Sequence, residues 1–130
     1  MIKYRKGNEI DFIRLIELFI EAGWEDKTKD FNRLISMVEN SDLVVTAWDF
    51  DYMVGFARVT CDEAFNGQIN NVVVDPEYRG QGIGKEMVKQ ILSHNSKVTY
   101  LLRADMGNES FYRSLGFQTA ERALVFPRKE

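Results

Sequence analysis

The stretch Val72-Val73-Val74-Asp75-Pro76-Glu77-Tyr78-Arg79-Gly80-Gln81-Gly82-Ile83-Gly84-Lys85 decides the fold. Three valines followed by Asp-Pro predict a buried strand that stops, because proline has no N–H for the ladder and aspartate folds back on its own backbone. Beyond three alternate glycines, Ile83, Met87, Val88, Ile91 and Leu92 recur at the spacing of one helix face. A strand, a glycine loop and a helix start in that order form an anion cradle. Glycine lets the backbone close on a ligand, the first helical N–H groups lack intrahelical acceptors, and the helix dipole favours a negative charge there by roughly 0.3–1 kcal/mol. Arg79 and Lys85 add two cations suited to a pyrophosphate.

Working outward, Asn8 is an expected N-cap ahead of a helix carrying Ile10, Ile13, Ile16 and Ile20 and ending near Gly23, whereas Met1 to Arg5 is short and mixed. A second helix is expected from about Lys27 to Glu39, with Phe31, Leu34, Ile35 and Val38 at i, i+3, i+4 and i+7. The period then changes: Leu43 to Trp48, the turn residues Asp49 to Asp51, and the alternation Tyr52, Val54, Phe56 read as a hairpin. Gln68 to Val74 is a third strand and Val98 to Leu102 another. Asn108 precedes a short helix with Phe111, Tyr112 and Leu115, closed by Gly116, and Ala123 to Phe126 forms a last strand. Strands separated by helices predict an α/β chain whose mixed sheet is covered by helices.

Composition narrows the function. With 130 residues, no repeat, no linker and two prolines, the chain is expected to be one domain, residues 1–130. Net charge is −3, so no basic field holds a nucleic-acid backbone, and no apolar run approaches a membrane span. A single cysteine, Cys61, and a single histidine, His94, exclude an internal disulfide and multi-cysteine or histidine-rich metal sites, so no metal is expected. The N-terminus carries no signal-peptide pattern, which places the expected location in the cytoplasm. Cys61 with His94 as a thiol nucleophile is weighed and set aside, since no third group orients the histidine.

Spacing separates the nucleotide motifs that compete for the loop. A Walker A loop needs glycine where Arg79 stands and Ser or Thr where Glu86 follows the lysine. A dinucleotide fingerprint needs its first glycine directly after the strand and a third where Lys85 sits, although Asp105 mimics its ribose-binding acid. A dinucleotide-binding oxidoreductase is therefore the lesser alternative.

Arg79-Gly80-Gln81-Gly82-Ile83-Gly84 resembles the acetyl-coenzyme A signature of the Gcn5-related N-acetyltransferases. Asn71 to Pro76 resembles that family's fourth strand, and Asn108-Glu109-Ser110-Phe111-Tyr112-Arg113-Ser114-Leu115-Gly116-Phe117 its closing helix-and-strand motif. Gly23-Trp24 and Val54-Gly55-Phe56-Ala57-Arg58 are further similar to the arylalkylamine acetyltransferases of cyanobacteria and plants. The resemblance implies a mixed, mostly antiparallel twisted sheet of about six to seven strands with about four helices. It also implies transfer of acetyl from acetyl-CoA to a primary amine, without a covalent enzyme intermediate.

Residue by residue, it implies that Val72, Val73 and Val74 offer backbone groups to pantetheine and the thioester. Arg79, Gly80, Gln81, Gly82, Ile83, Gly84 and Lys85 take the pyrophosphate, and Asn108, Phe111 and Tyr112 complete the cofactor side. Tyr112 is the candidate acid for the departing thiolate, since a phenol is protonated at neutral pH. Asp105 is the candidate base, with Asn71 standing where the subgroup commonly has an acid. Trp24 and Phe65, with Asp62 and the acidic Glu25 and Asp26, are the expected mouth for a small amine substrate. Homodimer formation through sheet edges or C-terminal strands is implied as well. A non-catalytic acyl-CoA sensor is the alternative of another class.

Overall fold

The computed structural model describes residues 1–129. Its elements are β1 (Ile2–Lys6), α1 (Phe12–Glu21), α2 (Phe31–Glu39), β2 (Leu43–Asp49), β3 (Tyr52–Cys61), β4 (Asn66–Val74), α3 (Ile83–His94), β5 (Thr99–Leu101) and α4 (Glu109–Ser114), with 3-10 turns at Glu25–Thr28 and Pro76–Tyr78. The strands lie in chain order in one five-stranded sheet. Neighbours from β1 to β4 are antiparallel, and β5 runs parallel to β4, as its crossover through α3 requires.

Alternation on the strands sends one set of side chains to each face. Val44, Trp48, Phe56 and Val73 meet Leu15, Leu18, Phe19, Leu34 and Val38 of α1 and α2. Val45, Val54, Ala57, Val59 and Ile69 meet Ile83, Met87 and Ile91 of α3 on the other. The fold is thus a mixed, mostly antiparallel sheet between two helical layers, as expected, with four α-helices among the described residues.

Several local expectations are corrected. Asp11, not Asn8, caps α1, its Oδ1 accepting from the Arg14 N–H at 3.1 Å. The helix expected from Lys27 is divided, because Asp30 adopts an extended backbone and caps a new start by accepting from the Arg33 N–H at 3.1 Å. Met1 to Arg5 supplies most of a strand, β1, whose partner is β2. Among the described residues the sheet has five strands rather than six to seven, and Ala123 to Phe126 is not one of them. Leu124 and Phe126 are each 94% exposed there. β5 has three residues, a ladder too short to template another strand along its open edge.

Candidate active site

The site begins as a fault in the β3–β4 ladder. Gly55 opposes Val74 and Phe56 opposes Val73, but the next pair is Arg58 with Asn70, so Ala57 alone faces the two residues Asn71 and Val72. This is a β-bulge, and its extra residue is Asn71, in the left-handed region at φ 54°. Asparagine tolerates that conformation better than other residues with a Cβ. The bulge shifts the phase of the strand, so Ile69 and Val72, three apart, pack on the α3 face while Val73 packs on the other. Parallel pairing with β5 covers only Asn66 to Gln68. Beyond the bulge β4 therefore borders an opening rather than a strand.

That opening is a cleft of about 640 Å³. Val72, Val73 and Val74 form one wall, Asp105, Asn108, Phe111 and Tyr112 the other, and Arg79, Gly80, Gly82, Ile83, Gly84 and Lys85 one end. Trp24 borders it from the turn after α1, edge-on to Phe19 at 5.3 Å between ring centres. Gln81 is exposed and does not line it.

The glycine end is built for an anion. Gly80 and Gly82 have φ of 80° and 79°, which side-chain-bearing residues rarely adopt, and Gly82 caps α3 without a side-chain bond. The first N–H groups of α3 thus have no side-chain acceptor, and Arg79 and Lys85 flank them. This donor set fits the pyrophosphate of a coenzyme A thioester.

The loop is anchored by a feature the sequence reading missed. Arg14 of α1 reaches through the core, its Nη2 donating to Asp75 Oδ2 at 2.7 Å and its Nε to the Met53 carbonyl at 2.9 Å. Its guanidinium also lies 3.9 Å over the Tyr52 ring. Asp75 Oδ1 accepts from the Glu77 N–H at 2.9 Å, so one carboxylate ties α1 to the turn leading into the glycines. The available signal was a cation four residues before Leu18, on the apolar face of α1.

Tyr112 is half-buried, edge-on to Phe111 and Phe117 at ring-centre distances of 5.0 and 5.6 Å. Burial, and secondarily the charge of Asp105, push its phenol up to about 12. It therefore stays protonated throughout the neutral and mildly alkaline range. Asp105 is exposed, and its carbonyl accepts from the Asn108 N–H at 2.9 Å, which starts the turn into α4. Asn108 occupies the N-cap position of α4 but makes no side-chain cap bond.

Other expected residues lie elsewhere. Asp62 and Phe65 sit in the β3–β4 hairpin, at the far end of β4 from the valines, a separation of about 20 Å at the usual strand rise. Asp62 Oδ1 accepts from the N–H groups of Phe65, Ala64 and Asn66 at 2.7, 2.8 and 3.0 Å, which hold its carboxyl below the usual range. It is occupied in holding that turn. Asn71 supports the bulge beside the cleft, its Oδ1 accepting from Arg58 Nε at 2.7 Å. Cys61 and His94 do not pair: partial burial raises the thiol, and His94 Nε2 faces Glu63 at 3.9 Å.

Residues 39–119 match the acetyltransferase (GNAT) domain model. The chain belongs to the GNAT family. It is 34% identical over 146 residues to "GCN5-related N-acetyltransferase 2, chloroplastic" of Arabidopsis thaliana, covering 90% of this chain and 54% of that protein. It is 30% identical over 137 residues to "Histone acetyltransferase TAP1" of Glycine max, covering 90% and 56%. The chain thus spans about half the length of these two relatives. A GNAT family acetyltransferase structure from Streptococcus pneumoniae superposes with a TM-score of 0.85 at 24% identity over 100% of both chains, a likeness of fold.

Proposed function

We propose that this GNAT chain transfers the acetyl group of acetyl-CoA to a primary amine by direct attack within a ternary complex. The observation that carries the reading is the opening of the sheet at Asn71, beyond which the β4 edge, the uncapped start of α3 and a protonated tyrosine all border one cleft. The donor supplies a thioester whose carbonyl is open to amine attack.

The chain's residues have separate tasks. Gly80, Gly82 and the first N–H groups of α3, with Arg79 and Lys85, hold the pyrophosphate. Val72 to Val74 present unpaired edge groups to the pantetheine arm, in the manner of an added strand. Tyr112 enters the reaction protonated and donates its O–H to the thiolate as it forms; a phenol at about 12 is the weaker acid against a thiol at about 8.5, so the transfer completes only as the proton released from the ammonium is returned to the phenolate. Asp105, on the same wall and exposed to water, takes the ammonium proton directly or through a water molecule. Trp24 gives the acceptor an apolar contact. Holding amine and thioester together supplies much of the barrier reduction.

A cytoplasmic location and a homodimer are part of the same proposal; sedimentation at micromolar concentration showing only monomer would refute the dimer. The test of the reaction is thiol release from acetyl-CoA across a panel of aryl amines, polyamines, amino acids, amino sugars and peptides, with CoA binding followed by calorimetry. Amine-dependent release that falls by about 10²-fold or more in Tyr112→Phe, at unchanged CoA affinity, supports the assignment. Release unaffected by the substitution removes Tyr112 from the acid role. CoA binding without turnover on any amine favours a sensor.

A further inference from the structure

We infer that the acceptor amine carries an oxyanion, a carboxylate or a phosphate, held by Arg58 and Lys27 where the β4 bulge meets the turn after α1. The inference rests on the acetyl-transfer reading and deepens it.

Two arginines of this chain are drawn into the protein, and they are treated differently. Arg14 is matched by Asp75 and Glu17, each at 2.7 Å. Arg58, half-buried on β3, has among the described residues only the neutral Asn71 Oδ1, at 2.7 Å from its Nε. Among the described residues no carboxylate lies within ion-pair distance of it. Burial pulls its pKa down, with no acid to offset the effect. Among the described residues its two terminal nitrogens have no protein partner, and no unpartnered side-chain nitrogen is sealed from solvent. They form an open fork, the geometry that binds a carboxylate or phosphate through two parallel bonds.

Lys27 is the second cation. Its N–H donates to the Trp24 carbonyl at 3.0 Å, which puts it one short turn past a wall of the cleft. It is half-buried and its pKa falls, first through burial and then through Arg128, Arg58 and Arg33. Of the two acids in the same turn, Asp26 is engaged by Lys29 at 3.0 Å, and among the described residues Glu25 forms no ion pair with Lys27. Lys27 and Arg58 thus lie within each other's field, each half-buried, and an anion bound beside them would offset that repulsion. Neither cation lines the cleft itself; Arg58 is tied to Asn71, which directly precedes the wall residue Val72, and Lys27 to the wall residue Trp24, so both stand at its border, beyond Val72 from the glycine loop. An amine directed at the thioester would place an anionic substituent there.

Two measurements decide the matter. In the first, kcat/KM is compared for pairs of amines differing only in the anion: tyramine with tyrosine, tryptamine with tryptophan, glucosamine with glucosamine 6-phosphate. The expected result is a preference of about tenfold or more for the anionic member of at least one pair, carried by KM and abolished in Arg58→Gln. The pair that shows it tells carboxylate from phosphate. Preference for the neutral members, or an equal loss on both members in Arg58→Gln, overturns the proposal.

In the second, the CoA-saturated protein is titrated by NMR with inorganic phosphate and with acetate while the Arg58 Nε–H and Lys27 signals are followed. Saturable shifts are expected with one of the two, weakened about tenfold in Lys27→Met and in Asn71→Asp, which supplies Arg58 with an internal anion at the position of the present oxygen. Their absence in the wild type overturns the proposal whether or not any amine is acetylated. Failure of acetyl transfer on every amine, with the shifts intact, counts against the proposed reaction alone.

Discussion

Replacing Arg14 by methionine should cost about 3–4 kcal/mol of stability. The substitution keeps a long apolar stem of similar reach but removes the donors to Asp75, Glu17 and the Met53 carbonyl and the cation over Tyr52. Stripping one partner from a buried pair costs about 3–5 kcal/mol, because the remaining charge stays out of water. The Asp75 side chain is 12% exposed, which puts the pair near that range, whereas Glu17 at 56% exposure adds little. Glu17→Gln should therefore cost less than about 0.5 kcal/mol.

Asp75→Asn retains an oxygen for the Glu77 N–H and should cost about 2–3 kcal/mol, with a coupling of about 2 kcal/mol between the two sites in a double-mutant cycle. Urea unfolding of the four proteins, read as midpoint shifts at constant m, gives these values. Against a total stability of about 5–15 kcal/mol the effect is large. Because Asp75 also orders the turn before Gly80, CoA affinity should fall in Asp75→Asn under conditions where the protein remains folded. A loss below about 1 kcal/mol in Arg14→Met, or additive costs in the cycle, would show that the tie between α1 and the glycine loop contributes nothing.

Gly82→Ala forces a side chain into the left-handed cap of α3; roughly 1–2 kcal/mol of stability and a weaker CoA complex are expected, checked by urea midpoint and calorimetry. Gly55→Val meets Ala47 Cβ and Met87 Sδ, each 3.1 Å from the position of the first added carbon, and should cost about 1–3 kcal/mol while displacing α3; a neutral midpoint would show that Met87 swings aside. Tyr112 releases its proton near 10 when unfolded and near 12 when folded, so the stability it contributes is complete below pH 10 and is lost as pH rises toward about 12. Tyr112→Phe should flatten the alkaline fall in melting temperature across that window, and an unchanged slope would show that the phenol is not desolvated.

The glycine loop and its helix were legible because their signals are local: Asp-Pro, alternate glycines and one periodic face lie within a single run of sequence. Tyr112, Asp105 and the valines meet at the same cleft for a related reason, since β4, the loop, α3 and the turn into α4 follow one another with little chain between. Asp62 and Phe65 were misplaced because a residue following β3 carries no mark of which end of the sheet it occupies, and the carboxylate is spent on its own hairpin. Arg14 and Arg58 find their polar partners 61 and 13 positions away, across elements whose packing no local period encodes. The extra strands failed because propensity at Ala123 to Phe126 says nothing about whether an edge of useful length is waiting.

The bulge at Asn71 also bears on how this chain can change over generations. Deleting that one residue would leave Ile69 and Val72 two apart, the ordinary alternation of a strand, so both would still face α3 while the β3–β4 ladder closed without a fault. Retaining it keeps a strand that cannot be paired along its whole length. A single deletion thus separates the faulted ladder from an unbroken one, and the core on either side of β4 would not oppose it. The fault beside the cleft therefore hangs on the one residue Asn71 rather than on the hydrophobic pattern of β4, independent of which acceptor the chain came to use.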